Sequence, residues 1–325
     1  MRDFVANATQ NGSILPEKYK EQTMFWFKNA MIYRLTKELD WSSAVLQTHL
    51  QQCQYHPCHQ SDMSKFGWTN PLRDSEMLHF SVGKHILLVA HKEEKILPAH
   101  VVKTELDERI QHVEQKENRK LKKVEKLALK DDVIAGLLPR AFSKHQHTAL
   151  WIDAEADLIY VDAASSKRAE DVLALLRKSL GSLPVVPLTF ANAPSLLMTD
   201  WLRNDTVPQW LFPLEEAELT GSSDMGIIRC KQQNLESEEI QSLLTAGKVV
   251  TKLSLLWEEH ISFILHDDGS LKRLKFADQI REKNDDILKE DYAQRFDADF
   301  VLMTGVLSKL IENLLADFGG EKARL

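Results

Sequence analysis

Between Lys116 and Lys130 the chain gathers seven cations, Lys116, Arg119, Lys120, Lys122, Lys123, Lys126 and Lys130, against only Glu117 and Glu125. On a helix this run covers about four turns. It would create a local field able to attract a polyanion, although the whole chain has a formal charge of -7. A solvated helix face has the same composition, so polyanion binding needs further support. Other chemistry is sparse. Gly247-Lys248 is followed by Val249, which breaks the phosphate-loop pattern, and no dinucleotide fingerprint is present. Asp267-Asp268-Gly269-Ser270 has the composition of a hairpin turn. Asp297 and Asp299 are the residue types that hold magnesium in nucleases, but one of them capping the last helix is the simpler reading. Cys53, His56, Cys58 and His59 cluster without the distant second pair that structural zinc requires. His145 and His147 beside Lys144 read as polar surface, since a general base needs a nucleophile to serve. No cofactor is expected.

The elements that must position these residues follow from composition and periodicity. With 325 residues and 43% hydrophobic content, the chain can bury a sizeable core and form two or three domains. Three cysteines are too few for a disulfide framework and fit a reducing cytoplasm. No apolar run approaches the roughly 20 residues of a membrane span, so no membrane role is expected. Residues 1–23 read as a loose, disordered tail, and Met24 stands as an alternative start.

Phe25 to Leu35 is strand-like, and Asp40 to Cys53 is helical, with Asp40 or Ser42 as its cap. Ile86 to Ala90 is a buried strand. From Pro98 the spacing predicts one long helix that runs into the basic segment, its stripe continued by Leu121, Val124 and Leu127 or Ala128. Gly136 and Pro139 end it, leaving Leu138, Arg140 and Phe142 at an exposed junction. Ala149 to Asp153 and Leu158 to Asp162 form a hairpin. A helix capped by Ser165 or Ser166 follows, its outer face carrying Lys167, Arg168, Arg177 and Lys178. Pro184 to Phe190 suits a sheet edge, and Ser195 to Leu202 a short helix. Beyond Pro208 the chain turns acidic. There Ile227 to Cys230, Lys248 to Trp257, Ile261 to His266 and Leu271 to Phe276 read as strands, the last three as a meander. Ser237 opens a helix, Asp278 caps another, and an amphipathic helix ends at Gly319-Gly320.

Several segments resemble the bacterial recombination-associated RdgC family. They include Phe25-Trp26-Phe27-Lys28-Asn29, Asp62 to Trp68, Lys92 to Pro98, Leu137 to Ser143, Leu173 to Leu188, Gly247 to Leu253, Asp267 to Phe276 and Tyr292 to Gly305. The similarity runs from about Met24 to the C-terminus. It implies an α+β fold in which an elongated, horseshoe-like subunit of mixed antiparallel sheets and helices joins a second copy in a ring-shaped homodimer. It also implies a cytoplasmic, nucleoid-associated protein without enzymatic activity. Such a protein encircles duplex DNA with little sequence preference, also binds single strands, and antagonises RecA.

Under that resemblance, residues 24–97 and 143–207 make a central region, 98–142 a helical tip, and 208–325 a base with the second dimer contact. Lys116, Arg119, Lys120, Lys122, Lys123 and Lys126 are the expected phosphate contacts, with Arg140 and Lys144 near the same opening. Arg229, Lys231, Gln232 and Gln233 match a stretch linked to DNA contact, although relatives can carry a basic residue where Gln232 stands. Phe142, with Leu138 and Arg140, matches the contact that can act as a gate. Two other readings remain: a scaffold using the 98–130 helix as a coiled-coil surface, and a magnesium nuclease built on Asp297 and Asp299.

Overall fold

Five of the seven residues of NAMIYRL are hydrophobic, and the strand they form sits in the middle of the sheet, where both edges are paired. The computed structural model describes residues 26–72, 75–221, 226–258, 260–288 and 291–323. The tail expected over residues 1–23, the alternative start at Met24 and Phe25 lie outside them. This central strand, β1 (Asn29–Leu35), pairs through Asn29 and Ala30 with β12 (Leu271–Phe276), and through Met31 to Arg34 with β6 (Leu158–Val161). It thereby joins two half-sheets. On one side lie β2 (Ser64–Thr69), β3 (His79–Val82), β4 (His85–Lys95), β5 (Ser143–Asp153) and β7 (Val185–Pro187). On the other lie β8 (Leu211–Gly221), β9 (Ile227–Lys231), β10 (Lys248–Trp257) and β11 (Ile261–His266). The order is β2-β4-β5-β6-β1-β12-β11-β10-β8-β9, with β3 also on β4 and β7 on β1, and every pairing is antiparallel. The α+β class and the β10-β11-β12 meander are as expected.

Two cores hold the sheet. Leu46 and Leu50 of α1 (Ser43–Gln51) and Leu173 and Leu176 of α4 (Ser166–Leu180) pack with Trp68, Leu88, Leu150 and Ile159. Trp68 cannot leave its indole N–H unpaired there, and it donates to Ser179 at 2.8 Å. The larger core includes Trp151, Tyr160, Leu253 and Phe263. Helices α5 (Pro194–Asn204), α6 (Glu238–Thr245) and α8 (Tyr292–Asp317) cover it, the last through Phe296, Phe300, Met303, Leu307, Leu310 and Leu314. A short helix α7 (Asp278–Arg281) precedes α8. No helix among the described residues is long and apolar enough to cross a membrane.

Several expectations change. The single long helix is a hairpin: α2 (Ala99–Glu117) stops at Asn118, whose φ of 49° is left-handed, and α3 (Lys123–Leu137) starts afresh. Asn is one of the few residues that accept this conformation, which reverses the chain and lets the two helices pack on each other. The apolar stripe does not continue either. Leu121 is buried in the turn, whereas Val124 is 78% and Leu127 59% exposed. The acid-rich segment after Pro208 contains β8, whose outward carboxylates concealed its alternation. Asp297 and Asp299 lie inside α8, and its cap is Asp291, which accepts from the Gln294 amide at 3.2 Å. Asp278 is the first residue of α7 rather than its cap.

Candidate nucleic-acid interface

The basic run forms the tip of the α2–α3 hairpin, where the chain's own carboxylates answer much of its charge. Arg119 contacts Glu117 at 2.7 Å and Glu125 at 2.6 and 3.0 Å. Lys120 and Lys126 reach Glu114 at 2.7 and 3.6 Å. Glu114 and Glu125 also accept the backbone N–H groups of Leu121 and Lys122, at 3.0 and 2.7 Å, so they staple the turn as well as neutralising it. The Arg119 fork and the Lys122 amide hold Glu125 down to about 2. Lys116, Lys122, Lys123 and Lys130 are exposed and make no ion pair among the described residues. Sequence spacing gathered these cations in one segment, but it strung them along a continuous helix and could not separate paired from unpaired ones.

Arg140 and Lys144 are exposed at the root of the hairpin. Phe142 between them is 85% exposed, so this side chain takes no part in the core of its own chain. Ile96 donates its amide to the Phe142 carbonyl at 2.8 Å, and Lys95 donates to Met63 at 2.8 Å. Exposed Met63 and Ile96 therefore belong to strand ends adjacent to Phe142. Leu138, expected at the same contact, is instead buried within its own chain. On α4, Arg168 is structural: it donates to Thr148 at 2.8 Å and to the His147 carbonyl at 2.5 Å. Lys167, Arg177 and Lys178 remain exposed.

A second cationic surface was only partly anticipated. Strand register places Arg229, Glu218, Lys252 and His266 opposite one another on four adjacent strands, and Lys231 opposite Glu216. With Lys272 and Arg273 they line a trough of about 360 Å³ whose wall has five Lys and Arg side chains against two carboxylates. Glu218 receives Arg229 and Lys252, each at 2.8 Å. Burial pushes the Glu218 carboxyl up, but these two bonds outweigh it and hold the acid below its ordinary range. Arg273 forks onto Glu216 at 2.5 and 3.1 Å. Gln232 and Gln233 follow at the end of β9, where Gln232 has a φ of 51° and Gln233 donates to Glu239 at 3.1 Å. Lys252, Lys272 and Arg273 escaped the sequence reading because each lies in a strand recognised by its apolar face. Their signal was the outward cation repeated across strands far apart in sequence.

A tip and a trough of this composition can hold phosphate oxygens. Their cations are spread over several elements, as suits a backbone that repeats a charge rather than a small ligand. The RdgC family model, described as "Putative exonuclease, RdgC", matches residues 25–321. The chain belongs to the RdgC family. A relative from Pasteurella multocida is 80% identical over 302 residues, which cover 93% of this chain and 100% of the relative. One from Mannheimia succiniciproducens is 74% identical over the same lengths, and one from Haemophilus influenzae strain Rd is 70% identical over 301 residues. Each of these is named "Recombination-associated protein RdgC". The family model's wording points to nuclease activity and the relatives' name does not, so the acidic pair matters. Asp297 is exposed, whereas Asp299 is buried and accepts from Asn284 at 2.9 Å. Two positions apart on a helix, the carboxylates point in different directions and do not share one cation.

Proposed function

We propose that this RdgC-family chain binds DNA without regard to sequence, encircles duplex as a ring-shaped homodimer and limits RecA-mediated recombination, with no enzymatic activity of its own. The observation that carries the DNA-binding part is the trough crossed by Arg229, Lys231, Lys252, Lys272 and Arg273. Cations at such spacing recognise phosphates by charge, and affinity then comes from counterion release rather than base-edge hydrogen bonds. The exposed Lys116, Lys122, Lys123 and Lys130 of the hairpin, with Arg140 and Lys144, add contacts of the same kind, and single strands carry the same phosphates. The overall charge of -7 favours this division, since an acidic exterior repels DNA wherever cations are not gathered.

Exposed Phe142, with Arg140 beside it, supports a contact between two copies, because aromatic and Arg side chains are enriched where interfaces derive most of their energy. The second ring contact is assigned to the 208–325 base. A protein that coats or encircles DNA limits a recombinase by occupying its track, which requires no bond between the two proteins. The relatives' name, recombination-associated, fits that role. The divergence of Asp297 and Asp299 favours the non-enzymatic reading over a nuclease.

Binding to random duplex, measured by fluorescence anisotropy with and without the Lys252→Ala, Lys272→Ala pair, tests the central point. The variant is expected to bind all sequences more weakly to the same degree. Unchanged affinity overturns the assignment of the trough. Incubating the protein with labelled DNA and magnesium tests the enzyme question: degradation by wild type that disappears in Asp297→Ala establishes the nuclease reading instead.

A further inference from the structure

We propose that His91, His145 and His147 form a binding site for a borderline transition metal ion, with Zn²⁺ the first choice. His145 and His147 alternate along β5 and so project from one face, and the antiparallel register sets His147 opposite His91 on β4. The structure brings together a histidine pair that the sequence shows and a third ring 54 residues away from the nearer of them. His91 Nε2 stands 3.0 Å from His145 Nδ1, and the His91 and His147 rings lie 4.2 Å apart at 29°. Two nitrogens sharing a tetrahedral zinc, each at roughly 2.0–2.1 Å, stand about 3.3 Å from one another. In the present arrangement the rings bind each other, and no three donors among the described residues yet converge. His145 and His147 are exposed, so rotation of their rings is unhindered by a surrounding core.

A second observation points independently to a cation. Glu93, directly opposite His145, is only 5% exposed. It accepts from Ser143 Oγ at 2.6 Å, Tyr55 Oη at 2.7 Å and the Cys58 amide at 2.8 Å, yet no Lys or Arg pairs with it among the described residues. Both carboxyl oxygens accept, Oε1 from Ser143 and Oε2 from Tyr55 and Cys58, which is the pattern of a carboxylate anion. Such a charge is stabilised by a cation beside it. Three neutral imidazoles carrying Zn²⁺ would supply one, with Glu93 in the outer shell that orients the ligands. His91 suits the role by position, since its ring touches both of the others, His145 through Nε2 and His147 by stacking. Bound metal would tie β4 to β5 at the end where the hairpin and Phe142 leave the sheet.

The test uses the full chain without an affinity tag, stripped with a chelator and titrated calorimetrically with Zn²⁺, with Co²⁺ as a spectroscopic probe. One equivalent is expected to bind, raising the thermal midpoint by linkage. Co²⁺ should show tetrahedral ligand-field bands without a thiolate charge-transfer band. His145→Ala and His147→Ala, both at exposed positions, should each weaken binding by roughly tenfold or more while circular dichroism is unchanged. His56→Ala and Cys58→Ser should not weaken it. Failure to bind one equivalent, affinity unchanged in His147→Ala, or loss confined to His56→Ala or Cys58→Ser overturns the site. No step of this experiment uses DNA, so its failure leaves the DNA-binding reading untouched.

Discussion

Phe142 and Glu218 allow the cleanest single-residue tests, because the first is exposed and the second pairs two of the trough's cations. Phe142 is so exposed that Phe142→Ala should change folding stability by no more than about 0.5 kcal/mol. If the side chain anchors the contact between copies, its loss should cost about 2 kcal/mol or more there while leaving the cations in place. The variant should then dissociate from circular DNA much faster than wild type, with little change in initial binding at low salt. Equal dissociation rates on circular DNA would remove Phe142 from the gate. Glu218 acts in the opposite direction, since it neutralises Arg229 and Lys252 inside the trough. Glu218→Gln releases both and is expected to tighten binding to random duplex at low salt. The same substitution alters acid stability. A carboxyl whose folded pKa lies below its ordinary 4.5 stabilises the protein above that value, and the contribution is lost as pH falls through the depressed folded value. Urea midpoints measured downward from pH 5 should therefore fall less steeply in Glu218→Gln than in wild type.

The hairpin and the first half-sheet show how local structure selects among similar residues. Among the described residues Lys122 and Lys123 make no ion pair, whereas Arg119 and Lys126 are engaged by Glu117, Glu125 and Glu114. Replacing Lys122 and Lys123 by Ala should flatten the salt dependence of DNA binding by roughly 0.9 per lost phosphate contact. The Arg119→Ala, Lys126→Ala pair should flatten it less, and equal effects in a fluorescence titration would show that the carboxylates release their partners on binding. In β2, Gly67 has a different constraint. A Cβ there would stand 2.6 Å from the Tyr55 amide nitrogen and 2.7 Å from the Cys53 carbonyl, both backbone atoms that cannot swing away. Gly67→Ala should cost on the order of 1–3 kcal/mol in urea unfolding, the range for forced overpacking. The segment it displaces carries Tyr55 and Cys58 to Glu93, so the substitution should also loosen the root of the hairpin.

For the whole molecule, the decisive quantity is the salt dependence of binding. If the tip and trough together neutralise about six to ten phosphates, affinity for random duplex should fall on the order of 10³ to 10⁵ fold between 50 and 200 mM salt. Competition among length-matched duplexes should show little preference, since charge carries no sequence information. Binding that is insensitive to salt, or lost when the hairpin's apolar residues rather than its lysines are changed, would favour the protein scaffold. The structure already weakens a coiled-coil surface over 98–130, because the helix required for it is broken at Asn118.

Much of the molecule was legible in one dimension. The strands of the meander, the amphipathic face of α4 with its Ser165 cap, and the Pro-bearing edge strand β7 all follow from local alternation, spacing and turn chemistry. The basic run and the exposed junction at Phe142 were visible for the same reason: charge and a helix-breaking proline act within a few residues. The limits are equally physical. A left-handed Asn118 and a helix continuing through it have almost the same apolar pattern, so only the packing of α2 on α3 separates them. The pairing of Glu114 with Lys120 and Lys126 depends on that reversal. Arg229, Lys252 and Lys272 become neighbours because β12, β11, β10, β8 and β9 lie side by side, and His91 meets His145 and His147 through the β4–β5 register. Cations and ligands supplied by separate strands form a site only when hydrogen-bonded pairing sets which residues stand opposite, and that pairing is a long-range property that local propensity does not encode.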